Sequence, residues 1–223
     1  MLHQREKDLV FLVMSKATLP NYWLRKSWHH LRKSAPRARH LHLGCGTKYL
    51  PGFVNVDANP RVKTDLWLDV RCGLPFPNAS VDSIYSTHML EHLYPDELEE
   101  LLSDCLRVLK PGGGMRIVVP NLASAVEAYR QRREGWFESW PLRFDSSGGR
   151  FSNFIFCSGQ HRTAFDFEYM EEVLRKIGFA QITESAEGQS CIYGADVPVF
   201  ETAGQLPHSL YVEAFRPTGA PFA

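Results

Sequence analysis

The sequence predicts an α/β fold built on a mainly parallel sheet. Three observations predict it. Short β-rich segments alternate with helical ones from residue 40 onward. The first of these strands, HLHLG, runs directly into a glycine turn. The helical segments repeat their apolar residues at three- and four-residue spacing. Sheets of this kind bind ligands at the carboxyl ends of their strands, so function is sought there.

Along the chain, NYWLRKSWHHLRKS (21–34) places Leu24, Trp28 and Leu31 at i, i+4 and i+7, with Arg25, Lys26, Arg32 and Lys33 largely off that stripe. This is a basic amphipathic helix, ended by Pro36. Strands follow at 40–44, 53–57, 66–70 and 81–86. Pro95 opens a helix through DELEELLSDCLRVL, whose acidic first turn suits the helix dipole. KPGGG ends that helix, and MRIVVP is a buried strand. A helix at 122–133 precedes an aromatic segment with Trp136, Trp140, Phe144, Phe151, Phe154 and Phe156. DFEYMEEVLRKIGF is a further helix stopped by Gly178, and AQITES and HSLYVEAF complete seven strands. Only short connections join the first three strands, fewer residues than a crossover helix requires. The uncovered sheet face needs a cover, and the helix at 21–34 is the expected one, with Trp28 buried.

The composition, 44% hydrophobic and 22% charged, is that of a globular protein. The division expected is a basic arm over 1–38 and one domain over 39–223, carrying a lid insert at about 134–165. Residues 1–40 hold nine Lys/Arg against Glu6 and Asp8, while the remainder is acidic. That distribution argues against a nucleic-acid substrate, which needs a basic stripe along its site. It leaves open a peripheral membrane contact through the arm. The five cysteines are scattered, with no CxxC pair, as in reduced cytoplasmic proteins. The apolar run Leu9–Met14 is too short for a signal-peptide core.

Gly44-Cys45-Gly46 follow the first strand, Asp57 ends the second and Asp69 the third. A glycine turn lets backbone approach a ligand, and a strand-end carboxylate can accept ribose hydroxyls. Each feature alone is also an ordinary strand exit or cap. Together they describe a cleft of adenosine shape. The run from His42 to Asn121, through LHLGCGTK, NVD, LDVRCGLPFPNASVDSIYSTHMLEHL and CLRVLKPGGGMRIVVPN, resembles a class I S-adenosylmethionine-dependent methyltransferase of the methyltransferase type 11 kind. In its short connections it resembles a similarly clipped subgroup often associated with surface-polysaccharide genes. The resemblance implies a Rossmann-like, mostly parallel seven-stranded sheet with a terminal antiparallel hairpin and shortened crossovers after strands 1 and 2. It also implies S-adenosyl-L-methionine as cofactor. Gly44, Cys45 and Gly46 would line its methionine and ribose part, and Asp57 would bind ribose. Asp69 and Val70 would border adenine, with Thr87 and His88 beside the cofactor. Two departures from the family pattern are His42, where an acid is usual, and Lys48 at the third glycine position.

His88-Met89-Leu90-Glu91-His92 also spells H-x-x-E-H, a zinc-protease pattern. It follows a strand directly, and Pro95 starts a new helix just after it, so no long helix holds the two histidines. The expectation is a cofactor-side loop without metal. For a hydroxyl acceptor the candidate bases are His92, His161 and His88; each is equally read as a loop packer or cap. Arg162 could grip a carboxylate or phosphate. The absence of an N-P-P-Y type tetrapeptide after the fourth strand argues against amino-group methylation of DNA bases or protein glutamine. Transfer to oxygen of a small-molecule or saccharide acceptor is expected. The rival reading is a cofactor-binding or regulatory module that keeps the fold without catalysis.

Overall fold

The computed structural model describes residues 4–31, 40–137, 141–194 and 208–219. Seven strands form one sheet: β1 (His40–Leu43), β2 (Val54–Asp57), β3 (Leu66–Trp67), β4 (Val81–Thr87), β5 (Leu109–Pro120), β6 (Ala180–Ser185) and β7 (Ser209–Phe215), in the order β3-β2-β1-β4-β5-β7-β6. The first five pair in parallel, and β7 runs antiparallel between β5 and β6. Chain order reverses at β1, between β2 and β4, and leaves a crevice at that switch point.

Period-two alternation gives the sheet two unlike faces. Leu41, Leu43, Val56, Ile84, Ile117, Val119, Leu210 and Val212 point to one face and form the main core. Helix α2 (Pro95–Val108) packs there through Leu98, Leu101, Leu102 and Cys105, and α5 (Phe167–Ile177) through Met170, Val173 and Leu174. Both helices are set by local chemistry. Pro95 opens α2, where Glu97 accepts from the Tyr94 amide at 3.0 Å. Asp166 caps α5 through the Tyr169 amide, and Gly178 at φ +110° stops it.

The other face is polar. His42 and Asn55 are fully buried on it, as are Arg116 and Glu213, an ion pair at 3.1 Å. No crossover helix covers this face in the described residues. Loops do: Leu50 and Phe53 from the β1–β2 connection and Tyr193 from the segment before β7 close over Tyr85, Val118 and Tyr211. Glu213 holds its loop by accepting from the Cys191 amide at 2.8 Å. Asn55 holds the other, accepting from the Leu50 amide and donating to the Leu50 and Phe53 carbonyls.

The expected helix over 21–34 is the end of a longer one, α1 (Gln4–Leu31). It does not pack with Leu24, which is 71% exposed. Its packed side is Ser15, Thr18, Asn21 and Tyr22 instead. Thr18 is buried against the Asp69 amide, Asn21 donates to the Trp67 carbonyl at 2.7 Å, and Tyr22 meets the main core. The helix therefore covers the exit of β3 on the α2 side, not the polar face beside β1 and β2. The side chains of Arg25, Trp28 and Leu31, and residues 32–39 with Pro36, lie outside the described residues. Two strand boundaries also differ from expectation. The strand at 66–70 stops at Trp67, because Asp69 caps a 3-10 turn at Val70–Cys72. KPGGG lies within β5, drawn into the sheet where Gly114 pairs with Ser83 and Phe215.

His42 reports on the closure of the polar face. Burial lowers its imidazole from 6.5 to about 4, with the hydrogen bond to Asn55 opposing the shift. The unfolded chain then binds a proton that the folded chain refuses. This contribution to stability is complete above about pH 6.5 and is lost as pH falls towards 4. Urea unfolding should show a loss of about 3 kcal/mol over that window, reduced in His42→Gln. An equal pH dependence in both proteins would contradict the burial of a neutral His42.

Candidate active site

The glycine turn after β1 is shaped by what presses on it. Gly44 and Gly46 adopt φ of +66° and +51°, conformations that favour glycine. A Cβ on Gly44 would stand 2.3 Å from the Met89 side chain, so the loop after β4 closes directly onto it. A Cβ on Gly46 would meet nothing within 4 Å, so this glycine borders open space. Asp57 at the end of β2 accepts from the Gly46 amide at 2.8 Å and from the Asn59 amide at 2.7 Å. One donor per oxygen leaves lone pairs for further donors at a half-exposed carboxylate. Burial pushes the Cys45 thiol up to about 12, which favours its protonated form.

Asp69, the carboxylate expected to border adenine, is paired within the chain. It is buried, and both of its oxygens accept from the Arg71 guanidinium, at 2.7 to 3.1 Å. Burial raises its carboxyl, but the hydrogen bonds and charge of Arg71 outweigh that and hold it below the usual range. Val70 is buried in the main core. The third strand end therefore presents the Arg71 pair and α1 rather than a free carboxylate.

The fourth strand end holds the histidines. Thr87 closes β4, and its buried hydroxyl has no hydrogen-bond partner. His88 follows at φ +48°, a strained conformation for a side-chain-bearing residue. Its Nδ1 lies 3.4 Å from Glu91 Oε1 and its Nε2 lies 3.1 Å from Ser209 Oγ. A 3-10 turn at Leu90–His92 buries Glu91 to 1% exposure and leaves His92 exposed. Burial raises the Glu91 carboxyl, yet the bond from His88 and the charges of His88, His92 and His161 bring it below its ordinary value.

His161 reaches this cluster from far along the chain. The Glu91 carbonyl accepts from the amides of Arg162 at 2.7 Å and Thr163 at 3.2 Å, and Thr163 Oγ1 donates to the Leu93 carbonyl at 2.7 Å. The rings of His92 and His161 then sit 5.1 Å apart. Burial holds His161 below its usual range, which favours the neutral ring. Arg162 is turned to local work, donating to the Gly159 carbonyl and lying over the Tyr94 ring. All three candidate histidines are thus brought together. Sequence reasoning passed over Glu91, although it stood in the quoted motif, and Ser209.

The aromatic segment is largely its own small core. Trp136 and Phe137 are buried against Phe151, Phe154, and Ala125 and Ala128 of α3 (Leu122–Arg130). Phe151 and Phe154 belong to α4 (Ser147–Phe156), beside which Phe144 and Phe156 stay exposed. Trp140 lies outside the described residues.

Comparison with known proteins agrees with this architecture. Residues 58–117 match a family model described as a methyltransferase domain. A Mycolicibacterium smegmatis protein named "Probable S-adenosylmethionine-dependent methyltransferase" is 30% identical over 121 residues. That match covers 45% of this chain and 46% of the relative, so the chain spans about half the length of the curated relative. The crystal structure of a SAM-dependent methyltransferase from Archaeoglobus fulgidus superposes with a TM-score of 0.52 at 17% identity, over 92% of this chain and 99% of that one. The fold is that of the Rossmann-like methyltransferases.

Proposed function

We propose that the chain is an S-adenosylmethionine-dependent methyltransferase that transfers to an oxygen of a small-molecule or saccharide acceptor. The observation that carries this reading is the meeting of three strand ends: the Gly44–Gly46 turn, the Asp57 carboxylate and the His88–Glu91 pair. The site fits the cofactor. Gly46 opens onto empty space, and Asp57 keeps acceptor capacity for two ribose hydroxyls. Bound there, the cofactor supplies an electrophilic methyl group on sulfur.

The chain's own residues do the rest. The turn and Asp57 fix position, so proximity supplies much of the acceleration. His88 takes the acceptor's hydroxyl proton, with the buried Glu91 carboxylate orienting the ring and balancing its charge. The exposed aromatics at Phe144 and Phe156 would close over the acceptor as a lid. A saccharide acceptor accords with the clipped subgroup that the sequence resembles. Calorimetry with S-adenosylhomocysteine should show saturable binding, weakened by about 1.5–3 kcal/mol in Asp57→Ala. No binding by the unmodified protein would overturn the reading. Binding without transfer to any hydroxyl acceptor would favour a regulatory module.

The arm is read as a peripheral contact with an anionic membrane. Among the described residues, no helix is long and apolar enough to cross a membrane. Leu9, Leu12, Val13, Leu19, Trp23 and Leu24 are all exposed on α1. At 100° per residue they fall within roughly 140° of one another, opposite the packed side. An exposed apolar stripe on a basic arm suits the headgroup region of an acidic bilayer. The chain should sediment with phosphatidylglycerol vesicles and not with phosphatidylcholine vesicles. Replacing Trp23 and Leu24 by serine should weaken this at least about tenfold; equal sedimentation of both proteins would contradict it.

A further inference from the structure

We propose that Glu91, His92 and His161 form a binding site for a divalent transition-metal ion, with Zn2+ the best match. One donor atom from each residue lies within 4.8 Å of the other two. A tetrahedral zinc ion about 2.1 Å from its ligands sets them roughly 3.4 Å apart. Closing the site therefore needs movements of about 1 Å.

Two independent observations point to a cation. The first is the Glu91 carboxylate, 1% exposed, whose Oε2 is buried with no hydrogen-bond partner. His88 serves only the other oxygen, Oε1. A buried carboxylate oxygen left bare is costly, and a bound cation removes the penalty. The second is the way the rings are held. His92 Nδ1 lies 3.1 Å from the Gln160 carbonyl oxygen, and His161 Nδ1 lies 3.1 Å from that of Ile155. A carbonyl can only accept, so Nδ1 is the donor in both rings and the hydrogen bond fixes how each ring is turned. Metal-binding histidines are oriented by this same hydrogen bond from the far nitrogen.

Two imidazoles and one carboxylate suit zinc and its neighbours rather than magnesium or calcium, which take oxygen ligands. His92 is exposed and gives the ion an entry path. Three protein ligands leave a fourth position for water or an oxygen of a bound ligand. The metal-free loop expected from sequence rested on the H-x-x-E-H pair, His88 and His92. His88 faces the other Glu91 oxygen through Nδ1, and the missing ligand comes from His161.

The test uses the full chain, stripped with a chelator, dialysed and titrated with Co2+ followed by visible absorption, and with Zn2+ by calorimetry. One equivalent should bind, with d–d bands of a tetrahedral or five-coordinate ion. His92→Ala, at an exposed position, and His161→Ala should each weaken Co2+ binding at least about tenfold. His88→Ala should still bind one equivalent. Absence of saturable binding overturns the site. So does binding that survives both His92→Ala and His161→Ala, which marks adventitious uptake, or that is lost only in His88→Ala. None of these readouts depends on methyl transfer.

Discussion

Two parallel strands, β1 and β2, are joined by residues 44–53 alone, and the rest of the site depends on how that span is held. A parallel crossover ordinarily spends a dozen residues or more and uses a helix. Here side chains of β2 replace the helix. Asn55 and Asp57 share a face of the strand by the two-residue repeat. Asn55 ties down the far end of the connection at Leu50 and Phe53, and Asp57 ties down the near end at Gly46. Asp65 completes the tie, accepting from both nitrogens of Asn55 and from the Tyr49 hydroxyl. Every buried polar atom of Asn55 has a partner, which is what makes such a group tolerable in a core.

The same economy explains the unequal faces of the sheet. Aliphatic side chains and two amphipathic helices supply the hydrophobic stabilisation on one face. The other face has no helix among the described residues and is closed by loops, so it must anchor them through buried polar groups. Asn55 and Glu213 are those anchors, and Arg116 makes Glu213 affordable by pairing with it at zero exposure. The β1–β2 connection carries the glycine turn, whereas Tyr193 packs on His40 at the start of β1. Through Asn55 and Asp57 the β1–β2 connection and the glycine turn are one hydrogen-bonded unit, built without a crossover helix among the described residues.

Much of this was legible in the sequence. The alternation of strands and helices, the glycine turn, Asp57 at its strand end, Pro95 at a helix start and Gly178 at a helix stop follow from local chemistry. What stayed hidden depends on contacts between distant residues. Nothing in the spelling of GQHRT shows that its amides bind the Glu91 carbonyl, and without that bond His161 has no reason to stand beside His92. The placement of α1 is hidden because Leu24 looks like part of a core stripe, whereas Thr18 and Asn21 make the contacts. Polar side chains that bond a strand's backbone leave no hydrophobic periodicity to read. The Arg71 partner of Asp69 is likewise hidden, because it arrives two residues on through a turn that composition does not announce.

The central claim is that the Asn55 tie, in place of a crossover helix, shapes the crevice that takes the cofactor. Asn55 is fully buried and does not line open space, so it acts on a ligand only through the loop it holds. Calorimetric affinity of Asn55→Ala for S-adenosylhomocysteine, in protein shown to be folded by circular dichroism, tests this directly. The account predicts that affinity falls at least about tenfold, the scale of one lost hydrogen-bonded anchor. A folded variant that binds as tightly as the unmodified chain would contradict it.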